Sequence, residues 1–203
     1  MRITICTWDT PDYADLAAVS QPGKEEYAKR HGYKFVHDQR PLVNPLGFER
    51  MAVVQELLGR NDCVLSVDTD ALIMNHTLKV ERLYREGRGI VISEDLFSMN
   101  DGVFAVFNTP LTHQFIWAYL ALAQQGTANS QQLLMHFAFN TKKYASLFEI
   151  VDQKEINSYR QELYGRKGID GQFEPGDWIC HYPGLTKDAR IPLMQEALES
   201  VIR

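Results

Sequence analysis

A chain of 203 residues with 45% hydrophobic and 23% charged residues suits one folded domain over 1–203, since a core of this size buries roughly 70% of the unfolded surface; a disordered chain or a long coiled coil is excluded. A formal charge of −5 leaves no broad basic field for a nucleic-acid backbone, so nucleic acid is not an expected partner. No apolar run approaches the roughly 18 residues of a membrane span and no signal-peptide pattern opens the chain, which leads us to expect a cytoplasmic protein without an integral membrane segment.

Residues Arg2 to Cys6 read as a short buried strand. Asp12 offers an N-cap to a helical segment from Tyr13 that resumes after Pro22-Gly23 and runs toward His31, where Gly32 closes it. Lys34 to His37 is a second strand, and a Pro-, Asn- and Gly-rich loop from Pro41 to Gly47 leads into a helix from Phe48 to Leu58 with apolar residues at helical spacing. Cys63 to Val67 is a mostly apolar run bounded by turn residues, the pattern of a strand buried on both faces of a parallel sheet. It ends in Asp68-Thr69-Asp70.

Farther along, Ile90 to Ser93 and Val103 to Phe107 read as strands, and Pro110 to Gln125 and Gln131 to Phe139 as helices. Phe148 to Val151 and Trp178 to His181 supply late strands, and Ala189 to Ile202 a closing amphipathic helix. This alternation implies an α/β architecture with a mixed, mostly parallel sheet and helices on both faces. Ligands in such sheets bind beyond the carboxyl ends of strands, which directs attention to the residues after Val67 and Cys180. The polar stretch Gly165 to Gly176 is the expected closing loop. Cys6, Cys63 and Cys180 are far apart and set among strand-like residues, so buried reduced thiols are expected. Lys142-Lys143 and Arg166-Lys167 read as solvated surface or as the rim of a substrate mouth.

Asp68 and Asp70 flank one residue at the tip of a buried strand, so both carboxylates can approach a common point where the backbone turns. Paired carboxylates cost desolvation and mutual repulsion unless a cation or hydrogen-bond donors compensate. Mg²⁺ and Mn²⁺ favour carboxylate and phosphate oxygens, and Mn²⁺ also accepts imidazole. The D-x-D spacing alone arises by chance; the buried strand before it and the apolar continuation Ala71-Leu72-Ile73-Met74 give it weight. An acidic turn exposed to water is the alternative.

The segments Tyr27-Ala28-Lys29-Arg30-His31-Gly32-Tyr33, Phe48-Glu49-Arg50 and Val64 to Asn75 around Asp68-Thr69-Asp70 resemble the galactosyl/mannosyltransferase family, which includes fungal Golgi α-mannosyl and α-galactosyl transferases and plant xyloglucan xylosyltransferases. Asn100-Asp101-Gly102-Val103-Phe104, the pair Gln131-Gln132 and Gly176-Asp177-Trp178-Ile179-Cys180-His181-Tyr182-Pro183-Gly184 follow in the family's order. Phe48 and Arg50 stand where the family usually has Trp and Lys, and the acidic residue that often precedes the glutamine is not present. His181-Tyr182-Pro183-Gly184 followed by Lys187 is also similar to the His-Phe-x-Gly-x-x-Lys motif of glycogenin-like transferases.

The resemblance implies a GT-A (Rossmann-like) fold and a retaining transfer from a UDP- or GDP-sugar to a glycan or other hydroxyl acceptor. It implies Mn²⁺, or Mg²⁺, held by Asp68, Asp70 and His181, with Gly184 and Lys187 meeting the diphosphate. Only a neutral imidazole can ligate the metal. The same resemblance places Asn100 and Asp101 against the transferred sugar, where an ordinary Asx-Gly turn is the other reading. It places Gln132, or Gln131 in its stead, near the anomeric carbon. Thr7, Trp8 and Asp9 follow the first strand, where a nucleotide base and ribose would lie or where an indole simply packs at a turn. Arg50 meets phosphate or base, or forms a surface ion pair. Glu94 and Asp95 meet sugar hydroxyls or end a strand in water. No residue presents itself as an enzymatic nucleophile, which leaves a front-face internal return and an unidentified carboxylate both open.

Two rival readings have different signatures. A haloacid-dehalogenase-like phosphatase also has D-x-D after an apolar strand, but it expects Thr or Val where Leu72 stands and a second acidic residue where His181 stands. A non-catalytic nucleotide-sugar or glycan-binding module would not need the full set of Asp68, Asp70, His181 and Lys187.

Overall fold

A computed structural model of the chain describes residues 1–43, 47–95, 98–126, 128–160 and 171–203. Arg166, Lys167 and the first half of the expected closing loop, 165–170, lie outside the described residues, as do 44–46 of the Pro41 to Gly47 loop. Within the described residues, β1 (Ile3–Trp8), β2 (Lys34–Asp38), β3 (Cys63–Val67), β5 (Ile90–Glu94), β6 (Met99–Phe107) and β7 (Phe148–Val151) form a six-stranded sheet in the order β2-β1-β3-β6-β5-β7. β6 alone runs against its neighbours β3 and β5, and the other pairings are parallel. A second sheet of three strands, β4 (Ala71–Ile73), β9 (Ile179–His181) and β8 (Ser158–Tyr159), lies in the order β4-β9-β8.

The central strands are buried on both faces, which is why their sequences run apolar without alternation. In β3, Cys63, Leu65 and Val67 join a core with Tyr27 and Trp178, and Val64 joins the opposite core with Phe115 and Leu134. β6 divides in the same way, Val103, Ala105 and Phe107 to one side and Phe104 and Val106 to the other. One face is covered by α2 (Glu49–Leu58), α3 (Pro110–Ala123) and α4 (Ser130–Met135). The other meets α1 (Ala14–His31), which also packs with α7 (Lys187–Ala197) over the small sheet. Short helices α5 (Lys142–Ala145) and α6 (Gln153–Ile156) flank β7. The three cysteines are free and buried; burial pushes the Cys6 thiol up to about 12.

Three expectations are corrected. Pro22-Gly23 does not interrupt the first helix: α1 is continuous through Pro22, and its buried residues Leu16, Ala17, Ser20, Lys24, Tyr27 and Ala28 keep one helical face against the core on both sides of it. Interior proline costs about 3 kcal/mol, an amount that burying one or two large side chains, at about 1.5–3 kcal/mol each, offsets. Asp12 is not the N-cap; it sits in a single 3-10 turn, Pro11–Tyr13, ahead of the helix. The third correction concerns Asn100-Asp101-Gly102, expected to precede the strand that starts at Val103, with an ordinary turn as one of its two readings. These residues lie inside β6, where Ser93 pairs with Asn100 and Glu94 with Met99; the register against β5 shifts between Ile92 and Ser93, and the extra residues, Asp101 to Val103, are on β6. Among the described residues no helix is long and apolar enough to cross a membrane.

Candidate active site

The turn after β3 is closed by backbone bonds. Asp68 N–H donates to Gly102 C=O at 2.8 Å and Ala71 N–H returns to Asp68 C=O at 3.1 Å, so the chain reverses across Thr69 and enters β4. β4 pairs antiparallel with β9 in a register that sets Ala71 opposite His181, and Tyr182 N–H donates to Asp70 C=O at 3.0 Å. This register brings a residue from the far end of the sequence beside the acidic pair. One ligand atom each from Asp68, Asp70 and His181 lies within 4.8 Å of the others, and His181 Nε2 is 3.2 Å from Asp70 Oδ1. Two hard oxygens and an imidazole nitrogen are a donor set that fits Mn²⁺, and with less preference Mg²⁺.

Two arginines face these carboxylates. Arg50, in the first turn of α2, bonds Asp68 Oδ1 through Nη1 and Asp101 Oδ2 through Nη2 at 3.0 Å, and it also donates to Asp101 C=O at 2.8 Å. Arg190 of α7 reaches Asp70 Oδ2 at 3.1 Å. Burial works against the charge on Arg50, but the Asp101 and Asp68 carboxylates outweigh it and hold the guanidinium above its ordinary range. The two aspartates are pushed apart. Burial raises the Asp68 carboxyl, with Arg50 opposing and Asp70 adding to the rise. Burial also penalises Asp70, but His181 and Arg190 prevail and hold its carboxyl below the ordinary value.

Beneath the turn, the fully buried Lys24 of α1 donates to Asp68 C=O at 2.6 Å and to Thr7 Oγ1 at 3.2 Å, and Thr7 in turn donates to Val67 C=O at 2.8 Å. Burial brings the Lys24 ammonium down to about 8 against the raising influence of Asp68, Asp70 and Asp9. These contacts support the loop from behind.

A cavity of about 390 Å³ opens on this cluster and is lined by Trp8, Asp9, Tyr13, Arg50, Asp68, Asp70, Asn100, Asp101, Gln131, His181, Gly184 and Arg190, among others. Most of the expected site residues are therefore gathered. Glu94 and Asp95 are not on its wall, and neither are three others. Thr7 is buried under the Lys24 contacts within β1. Lys187 turns its Nζ to Asp15 Oδ2 at 3.0 Å and to Asp12 C=O at 2.9 Å. Gln132 caps its own helix: Asn129 N–H donates to Gln132 Oε1 at 3.1 Å, and Gln132 N–H donates to Asn129 Oδ1 at 2.9 Å. Gln131 is the glutamine that faces the cavity.

Of the lining residues, several have their polar atoms engaged within the protein. Asp9 accepts from Gln39 Nε2 and from Thr69 Oγ1, both at 2.7 Å. Trp8 Nε1 donates to Arg40 C=O at 3.0 Å, and the residue lines the cavity. The Asn100 amide is saturated, with Oδ1 accepting from Gly102 N–H and Asn157 Nδ2 and its own Nδ2 donating to Asp95 and Tyr159. Glu94 is exposed at the end of β5. The sequence reading missed Arg190 and Asn157. Arg190 stands one helical turn beyond Lys187, and that spacing was the only signal available for it.

Solved structures share this arrangement of elements. The glycosyltransferase involved in the glycosylation of the major capsid of PBCV-1 superposes with a TM-score of 0.76 at 16% identity, over 97% of this chain and 100% of that one. The chain has a GT-A fold. Within the GT-A proteins, galactosyltransferase LgtC, solved with donor and acceptor sugar analogs, matches with a TM-score of 0.62 at 12% identity, covering 98% of this chain and 95% of that one. GlyE, a glycosyltransferase in Streptococcus pneumoniae TIGR4, matches at 0.64 and 15%, over all of this chain and 61% of its own. No protein-family model and no curated protein matches the chain.

Proposed function

We propose that the chain is a metal-dependent, retaining glycosyltransferase that moves a sugar from a UDP- or GDP-sugar to a glycan or other hydroxyl acceptor. The observation that carries this reading is the meeting of Asp68, Asp70 and His181 on the wall of one cavity, at the carboxyl end of β3 in a GT-A fold. The motif resemblance to galactosyl/mannosyltransferases supports it independently of the fold.

When bound, Mn²⁺ or Mg²⁺ neutralises the donor diphosphate and stabilises the charge left on it as the sugar departs. Asp68, Asp70 and His181 would hold the ion. Arg190 adds a fixed positive charge on the same side of the cavity, oriented in advance toward the leaving group. Trp8 and Tyr13 offer aromatic faces for the base. Arg50 fixes Asp68 and Asp101 relative to each other.

A retaining enzyme needs either a nucleophile or a front-face return. Among the described residues lining the cavity, Asp9 is held by Gln39 and Thr69, Asp68 and Asp101 by Arg50, and Asp70 by Arg190. Carboxylates tied in this way are poor nucleophiles, which favours the front-face route, with the amide of Gln131 polarising or orienting the sugar.

The test is turnover of a panel of UDP- and GDP-sugars in Mn²⁺, by transfer or slow hydrolysis, in wild type and Asp70→Ala. Nucleoside diphosphate release that falls at least about a hundredfold in the variant is expected. Tight nucleotide-sugar binding with no turnover would replace this reading with a binding module, and inorganic phosphate released from small phosphoesters would replace it with a phosphatase.

A further inference from the structure

Asn157 lies between α6 and β8, fully buried and off the cavity wall, yet its amide touches the imidazole of the cation site. His181 Nδ1 is 2.9 Å from Asn157 Oδ1. Which of the two carries the hydrogen follows from a series of contacts that starts at a backbone donor. Gly102 N–H donates to Asn100 Oδ1 at 2.9 Å, and only an oxygen can accept there. Asn157 reaches that same oxygen at 2.9 Å, so the atom it presents must be its NH₂ group. The opposite end of the Asn157 amide is then its carbonyl oxygen, an acceptor alone. His181 Nδ1 must donate to it, and in the neutral ring the lone pair falls to Nε2.

The series is anchored at its far end. Asn100 Nδ2 donates to the Tyr159 hydroxyl and to Asp95 Oδ2 at 3.0 Å, and Tyr159 donates to that same carboxylate oxygen at 2.6 Å. An Asn100 flip would set its NH₂ against the Gly102 N–H and its oxygen against a carboxylate. At the near end, the Nε2 lone pair faces Asp70 Oδ1 at 3.2 Å. Both lone pairs are thereby turned to the space a cation would fill, and an imidazolium would place its second proton there.

We infer that Asn157, clamped by Asn100, is a positioning residue that fixes His181 as the Nδ1–H tautomer and turns its Nε2 lone pair toward the space shared with Asp68 and Asp70. This deepens, and rests on, the reading of those three residues as cation ligands. It also gives the Asn100 side-chain amide, whose bonds are all made within the protein, a part in holding the site.

Imidazole ¹H–¹⁵N correlation spectra of the metal-free protein, taken where the ring is neutral, should place the His181 proton on Nδ1. Asn157→Asp keeps an acceptor for that proton, though it loses the donor to Asn100 Oδ1, and should keep the Nδ1–H tautomer. Asn157→Leu should lose the tautomer preference and bind Mn²⁺, titrated alone and followed by the spin resonance of the free ion, about 10–100-fold more weakly. A ring protonated mainly at Nε2 in wild type, or an unchanged Mn²⁺ affinity in folded Asn157→Leu, overturns the inference. The wild-type spectrum decides the matter even if the leucine variant does not fold. Success in both arms with a protein that turns over no nucleotide sugar would remove the transferase reading and leave the positioning role standing.

Discussion

Lys187 and Arg190 stand one turn apart at the start of α7, and their side chains go to different places. Lys187 pairs with Asp15 outside the cavity, while Arg190 crosses to Asp70 inside it. The motif resemblance puts the diphosphate on Lys187; the geometry puts a guanidinium, which matches phosphate oxygens two at a time, at Arg190. Arg190→Ala is therefore expected to raise KM for the nucleotide sugar about 10–100-fold, the value of a charge-assisted contact of roughly 1.5–3 kcal/mol. Lys187→Ala should change it by less than about threefold, as for an exposed ion pair. Steady-state kinetics on both variants checks this, and the opposite ranking would return the diphosphate to Lys187. At this scale the sequence put Lys187 where Arg190 lines the cavity, and it left open which of Gln131 and Gln132 faces inward. Neighbouring positions on a helix point in directions that differ by about 100°, and only the packing of α4 and α7 selects one of them.

At the scale of elements, the antiparallel pairing of β4 with β9 and the first residues of β6 build the site together. Gly102 of β6 lies beneath the His181 ring: a Cβ built there would fall 2.2 Å from His181 Cε1 and 2.9 Å from Asn100 Oδ1. Neither neighbour is a loose chain end, since His181 is held by Asn157 and Asn100 by four hydrogen bonds. Gly102→Ala should push the imidazole away from Asp70, weaken Mn²⁺ binding about 10–100-fold and cost about 1–3 kcal/mol of stability by overpacking. Calorimetric titration of Mn²⁺ and a urea melt measure the two effects; an unaltered Mn²⁺ affinity would show that His181 is not held against β6. β3 and β7 have the bounds read from their residues, Cys63–Val67 and Phe148–Val151, because short apolar runs between turn residues have few other fates. The start of β6 was misread because Asn-Asp-Gly has turn chemistry. It is extended here because the Asn100 side chain finds its partners in Asp95, Tyr159 and Asn157, which the sequence places elsewhere.

Over the whole molecule, stability and site are joined at Lys24, a charge buried under the acidic turn. Its ammonium titrates at about 8 in the folded protein against an ordinary value of 10.5. Between those values the unfolded chain binds more protons than the folded one, so this group makes stability rise with pH across that window. Lys24→Met removes the term. Urea unfolding at pH 8 and pH 10 should show a rise in wild type, relative to the variant, of roughly 2 kcal/mol. Parallel pH dependences in the two proteins would mean that Lys24 titrates normally.

Local pattern was enough to determine the α/β class, the mostly parallel sheet and the buried strand ending in Asp68-Thr69-Asp70, because hydrophobic periodicity and turn chemistry act over a few residues; that His181 belongs with the two aspartates was implied by the family resemblance alone. Tertiary structure alone decided that Ala71 lies opposite His181, that Arg190 rather than Lys187 enters the cavity, and that Asn157 sets the state of the imidazole. Each of those outcomes depends on strand register or on hydrogen bonds between residues far apart along the chain, and such pairings leave no trace in local composition.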